Sequence, residues 1–196
     1  MIAIVDYGAG NLKSVTKAFH HLGAEVVVTS QPESVAAADK IVLPGVGHFS
    51  SLQSLTHAGL RETLLETAKA GKPFLGICLG MQWLFEGSAE CPDISGAGIF
   101  PGQCRLFPAS VKSPHVGWNS LTIAEGSRLL RGIAQESFVY YTHSFHAPLV
   151  DATTAVSDYG LHFSGAVEQG NVFGVQFHPE KSGDVGLAIL EHFCEV

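Results

Sequence analysis

Basic side chains are in short supply in this chain: 11 Lys and Arg stand against 18 Asp and Glu, a net charge of −7. No run of lysine or arginine offsets that balance, so the chain has no footprint for nucleic acid or for an anionic membrane. Cysteine is also sparse. Cys78, Cys91, Cys104 and Cys194 lie far apart and form no C-x-x-C pair. That spacing gives no support to a disulfide framework or a metal cluster, and it favours a reducing cytoplasm. No metal and no cofactor is expected. Long apolar runs are missing too: Ile2 to Val5 stops at Asp6 without a basic flank, too short for a signal peptide. No later stretch is long enough to span a bilayer. Internal repeats and low-complexity linkers are absent as well.

What remains is 196 residues with 46% hydrophobic content and 22 glycines, which suits one compact α/β domain over residues 1–196. Met1 to Asp6, Glu25 to Val28, Lys40 to Leu43 and Pro73 to Ile77 read as buried strands. Leu12 to Leu22 has helical spacing and ends at Gly23; Pro32 to Ala38 could form a short helix. Phe49 to Ala70 reads as helical, broken near Gly59, and Leu79 to Phe85 as the start of another helix. Strands alternating with helices predict a parallel sheet with right-handed crossovers and sites at the strands' C-terminal ends. Gly8 and Gly10 invite a dinucleotide reading, but Lys13 stands where the third glycine is needed.

Glu86 to Gly102 reads as a loop. Beyond it come short alternating runs at Cys104–Phe107, Leu121–Ile123, Phe138–Tyr141, Thr154–Val156, Phe163–Glu168 and Val172–Phe177. These predict antiparallel strands added to the parallel sheet and closed by a helix over Val185 to Phe193.

The chain is organised around Gly76-Ile77-Cys78-Leu79-Gly80. A cysteine flanked by glycines at minus two and plus two, between a strand and a helix, has the pattern of a nucleophile elbow. The helix start that such a corner aims at the sulfur favours thiolate. A buried structural cysteine would satisfy the same five residues, so a base and an oxyanion site must decide. His178-Pro179-Glu180 supplies the candidate base. Residues two apart in an extended chain share a face, which puts the Glu180 carboxylate within reach of the His178 ring. One ring nitrogen is then fixed and the other left free for the proton of Cys78. The competing reading is an exposed loop histidine beside a surface glutamate. The Pro44-Gly45-Val46-Gly47 turn offers backbone N–H groups which, with that of Leu79, would hold an oxyanion; an ordinary βα turn is the alternative.

Tyr140, Tyr141, His143, Ser144, Phe145 and His146 form a dense cluster that suggests a pocket wall, and His143 is the rival to His178 as base. Pro114-His115-Val116-Gly117-Trp118-Asn119 carries an aromatic flanked by turn residues and could be a partner surface or a satellite core. His20 and His21 read as two surface histidines.

The elbow with Met81-Gln82 and His178-Pro179-Glu180 resembles the class I, triad-type glutamine amidotransferases. The segments Asp6 to Leu12, Pro44 to Gly47, Pro114 to Asn119 and Val175 to Gly183 are similar to those of glutaminase subunits of imidazole glycerol phosphate synthases. The resemblance covers nearly the whole chain. It implies a flavodoxin-like three-layer sandwich. It also implies hydrolysis of glutamine to glutamate and ammonia through a thioester on Cys78, with His178 as base then acid and Glu180 orienting it. Gln82 and Glu90 match positions that hold the substrate's amino-acid end, and His143, Ser144 and Phe145 match backbone contacts to it. Val46, Gly47 and Leu79 match the oxyanion hole. The implied partner is a cyclase subunit, a (β/α)8 barrel of histidine biosynthesis, with Asn11, Trp118, Tyr140 and Lys181 near it. Partner ligand is expected to reorient the Pro44–Gly47 turn and the isolated subunit to be nearly silent. Two positions depart from the family pattern. His48 stands where a small residue is usual, which could alter the turn, and Phe145 stands where tyrosine is common. Other readings are another cysteine hydrolase on the same sheet, such as a peptidase or an amidotransferase of another pathway, or an interaction module with an inactive elbow.

Overall fold

The computed structural model describes residues 1–196. The chain runs β1 (Ile2–Val5), α1 (Leu12–His21), β2 (Val26–Thr29), α2 (Pro32–Ala37) and β3 (Lys40–Gly45). A 3-10 turn (Phe49–Leu52) leads into α3 (Gln53–His57), α4 (Leu60–Lys69), β4 (Phe74–Cys78) and α5 (Leu79–Leu84). Then follow β5 (Gly87–Ser88), β6 (Gln103–Leu106), β7 (His115–Ile123), β8 (Ser137–His143), β9 (Phe145–His146), β10 (Thr153–Asp158), β11 (His162–Gln169) and β12 (Val172–Val175). A second 3-10 turn (Pro179–Lys181) precedes α6 (Gly183–Glu195).

Nine strands form one sheet in the order β2-β1-β3-β4-β12-β11-β10-β7-β8. Its β2-β1-β3-β4-β12 half is parallel and the rest antiparallel. The parallel strands are apolar on both faces because both are covered. Ile2 and Ile4 of β1, Val42 of β3, and Leu75 and Ile77 of β4 pack with Phe19 of α1 and Phe193 of α6. Their neighbours in sequence, Val5, Ile41, Leu43 and Phe74, face the other way onto Leu55, Leu60 and Leu64 of α3 and α4. The period of two along each strand thus serves two cores at once. The expected break at Gly59 is present, with a left-handed φ of 68°.

Two expectations need correction. Cys104–Phe107 does not extend the large sheet; β6 pairs with β5 and β9 in a separate three-stranded sheet that also gives the Glu86–Gly102 loop its first residues of order. The run Val172 to Phe177 is not purely antiparallel either: β12 is antiparallel to β11 but parallel to β4. The segment His115 to Asn119, open between a partner surface and a satellite core, is a strand. It is the first half of β7, in continuous register with β8 from His115↔His143 to Leu121↔Ser137. Gly117, at φ 138°, obscures the alternation but is accommodated within the strand.

Candidate active site

At the end of β4 the backbone turns directly into α5, and Cys78 sits at the corner with φ 53° and ψ −106°. A non-glycine residue held there is strained, and such strain persists only where the surroundings over-determine it. Here the surroundings are close backbone. A Cβ on Gly80 would lie 1.8 Å from the Leu43 carbonyl oxygen, and one on Gly76 would lie 2.6 Å from that of Gly80. Only glycine permits this approach of α5 to β3 and β4.

His178 lies three residues beyond the end of β12 and is buried. Its Nδ1 is 2.9 Å from Oε1 of Glu180, whose side chain is equally buried. The pairing comes not from an extended chain but from the Pro179–Lys181 turn, which folds the carboxylate back onto the ring. The opposite nitrogen, Nε2, is buried and has no hydrogen-bond partner. Burial by itself would push the His178 pKa down. The neighbouring Cys78 sulfur, and after it the hydrogen-bonded Glu180 carboxylate, outweigh burial and hold it up at about 10. The imidazolium is therefore favoured beside the sulfur.

His143, the rival base, is placed otherwise. Its Nδ1 is 2.8 Å from the Phe145 carbonyl, an acceptor only, so Nδ1 carries the proton. Nε2 must then accept, and it does so from Nδ1 of His115 at 3.1 Å. Both rings pack among Phe107, Tyr141 and Phe163. Burial drives the His143 pKa down to about 3 and that of His115 down to about 4, so both rings stay neutral. With both nitrogens engaged, His143 cannot serve as the base. In the dense cluster around it Tyr141, His143 and His146 are buried, while Thr142, His143, Ser144 and Phe145 take part in lining a cavity.

That cavity, about 320 Å³, is walled by Gly47, His48, Cys78, Leu79, Gln82, Glu90, Pro114, Thr142, His143, Ser144 and Phe145. It gathers most of the residues expected to bind substrate or oxyanion. Val46 is not among its walls. Gly47 has φ 102° and open space around its missing Cβ, so this peptide is free to turn; a Cβ on Gly45 would strike the Tyr7 hydroxyl at 2.4 Å. Glu90 accepts the Phe49 N–H at 2.7 Å, which ties the loop after β5 to the turn after β3. His48 is exposed; its Nδ1 accepts the Ser50 N–H at 3.2 Å and caps the 3-10 turn. Of the expected partner residues, Trp118 meets Tyr140 edge-on at 6.0 Å, and Lys181 Nζ lies 5.7 Å from the Tyr140 ring centre. Asn11 lies at the start of α1, a helix that packs against the Pro179–Lys181 turn.

One buried residue at the site had no role assigned from sequence. Gln176 is fully buried directly after β12, with Nε2 3.7 Å from Cys78 Sγ. A lone amide in the apolar run Val172 to Phe177 is the signal that could have marked it.

The same fold occurs in solved structures. A structure described as a glutamine amidotransferase superposes with a TM-score of 0.77 at 19% identity, covering 99% of this chain and 100% of that one. PurLQS from Thermotoga maritima gives 0.78 at 20% identity, covering 99% and 97%. The class-I glutamine amidotransferase family model matches residues 3–195, and the chain belongs to that family. Within it, the chain is 49% identical over 197 residues to imidazole glycerol phosphate synthase subunit HisH of Methanothermobacter thermautotrophicus, covering 100% of this chain and 98% of the relative. HisH of Bacillus cereus is 49% identical over 195 residues, covering 98% and 93%. This likeness along the full length places the chain in the HisH branch of the family.

Proposed function

We propose that this chain is the glutaminase subunit of an imidazole glycerol phosphate synthase, releasing ammonia from glutamine for a cyclase partner of the (β/α)8 class. The observation that carries the chemistry is the His178 ring, clamped by Glu180 on Nδ1 and leaving a buried Nε2 on the Cys78 side. The Cys78 thiolate attacks the carboxamide carbon of glutamine. The oxyanion that forms is held by the N–H of Leu79 and by one from the Val46–Gly47 peptide after that peptide turns inward. The imidazolium of His178 passes its Nε2 proton to the departing nitrogen, ammonia leaves, and a thioester remains on Cys78. His178, now neutral, takes a proton from water as its oxygen attacks the thioester, and glutamate departs. Gln82 and Glu90, with the backbone at His143, Ser144 and Phe145, hold the amino-acid end of the substrate. The four unpaired cysteines suit a reducing compartment such as the cytoplasm. No helix is long and apolar enough to cross a membrane.

Glutamate release is measured for this chain alone, with the cyclase, and with the cyclase and its ribonucleotide substrate. Activity rises in that order. A complex with substrate that releases no glutamate overturns the proposal. Cys78→Ala abolishes synthesis from glutamine and spares synthesis from added ammonia; loss of both would make the cysteine structural. A peptidase or another cysteine hydrolase on this sheet would ignore the cyclase.

A further inference from the structure

A backbone carbonyl, two side-chain amides and the Cys78 sulfur form a directional chain beside the cavity. The Phe145 carbonyl oxygen can only accept, and it lies 2.8 Å from the Gln82 side chain. Gln82 must therefore present Nε2 to it. The second N–H of Nε2 donates to Oε1 of Gln176 at 3.2 Å. With Oε1 so occupied, Gln176 must turn its own Nε2 toward Cys78, where it stands 3.7 Å from the sulfur. Every orientation follows from the first carbonyl, and none is free to reverse without leaving a buried amide facing its own kind. Gln176 is fully buried and its backbone N–H is tied to the Gly165 carbonyl at 2.9 Å, so its place is fixed.

We propose that Gln176 is a working residue of the glutaminase reaction. It donates an N–H to the Cys78 thiolate while its carbonyl oxygen fixes the Gln82 amide, so that Gln82 offers its own oxygen to the substrate. This rests on the glutaminase reading for the Gln82 half only. The other polar group near the sulfur, the Thr142 carbonyl at 4.0 Å, can accept from a thiol but repels a thiolate. Gln176, presenting an N–H to the sulfur, opposes that preference. The two halves also couple reactivity to binding, because an amide disturbed at Gln82 would loosen the donor at the sulfur.

The test is the pH profile of Cys78 alkylation by iodoacetamide, followed on the Cys78 peptide by mass spectrometry. It needs neither glutamine nor cyclase, so its outcome is independent of whether the glutaminase reading stands. Gln176→Met removes both contacts at similar volume, and Gln176→Glu keeps the acceptor for Gln82 while removing the donor. In both variants the alkylation midpoint moves to higher pH, and at neutral pH the rate falls about tenfold. That is the low end for a hydrogen bond to a charged group, as the long N···S separation warrants. In steady-state assays with the cyclase, Gln176→Glu lowers kcat more than it raises KM, whereas Gln176→Met changes both. A midpoint that stays at the wild-type pH in either variant, with native circular dichroism, overturns the proposal. If Gln176→Met does not fold, Gln176→Glu decides it alone.

Discussion

At residue scale the proposed chemistry needs His178 charged beside Cys78, and its surroundings indicate which neighbour favours that charge. Burial opposes the charge, and Cys78 contributes more to overcoming it than Glu180 does. In Cys78→Ala the burial and the carboxylate remain while the larger support is gone. The imidazole titration of His178, followed by NMR, should then fall well below about 10. A midpoint that does not move would mean that Glu180 alone sustains the cation and that the sulfur is not its partner. The linkage has a definite sign. A histidine raised from 6.5 to about 10 stabilises the fold fully below pH 6.5, and this is lost as pH rises through about 10. The alanine variant should lack that alkaline loss. These roles were partly legible in the residues themselves. A cysteine between two glycines and a histidine two residues from a glutamate are local patterns. Gln176 belongs to no local pattern, because the groups it meets, Cys78 and Gln82, lie more than ninety positions earlier in the chain.

At the scale of elements, the first half was readable because each parallel strand is a short, nearly continuous apolar run and each βα unit repeats the signal. The second half was harder for a physical reason. Strands β7 and β8 are covered on one face only, so they mix polar and apolar residues, and Gly117 interrupts β7 where its register with Tyr141 continues. Nor does any local feature announce that β6 would leave the large sheet for β9, a pairing of Arg105 with His146 across some forty residues. The β7–β8 hairpin carries its own prediction. His115 and His143 are cross-strand partners with neutral rings, and Asn119 Nδ2 closes their chain by approaching His115 Nε2 at 3.5 Å. Their folded pKa values, about 4 and about 3, lie below the ordinary 6.5, so the stability they contribute is present above pH 6.5 and lost as pH falls toward those values. By pH 5 the loss from His143 alone is about 2 kcal/mol. His178 offsets only part of this loss, since its contribution still grows as pH falls from 7 through 6.5 and levels off below that. Urea midpoints at pH 7 and pH 5 should differ clearly in the wild type and less in His143→Gln. Equal differences would mean that other groups control the acid sensitivity.

For the whole molecule, the question is why so much apolar surface stands on one face of the sheet's last hairpin. The register pairs Val116 with Thr142, Trp118 with Tyr140 and Ser120 with Phe138, so all six side chains share the face opposite the aromatic core. Val116, Trp118 and Phe138 are 55%, 55% and 58% exposed, and Lys181 reaches over Tyr140 at their border. The remaining exposed apolar residues, Met1, Val28, Leu106 and Leu149, belong to other parts of the chain. A patch gathered by strand register is what a docking surface requires, and Thr142 connects this one to the cavity that Cys78 lines. A cyclase seated on this face would adjoin the cavity beside Thr142, and we propose that the partner docks here. Trp118 is the natural anchor, being large, half-exposed and braced by Tyr140. Trp118→Ala should weaken cyclase binding by about 2 kcal/mol, roughly thirtyfold in Kd. The urea midpoint of the free chain should barely change, because little of the ring is buried before docking. Leu149→Ala, equally exposed but outside the hairpin, serves as the control and should bind normally. The chain has two tryptophans, and Trp83 is buried, so a blue shift of the emission on adding cyclase would report Trp118 leaving water. Binding that tolerates Trp118→Ala and leaves the emission unshifted would place the cyclase on another face.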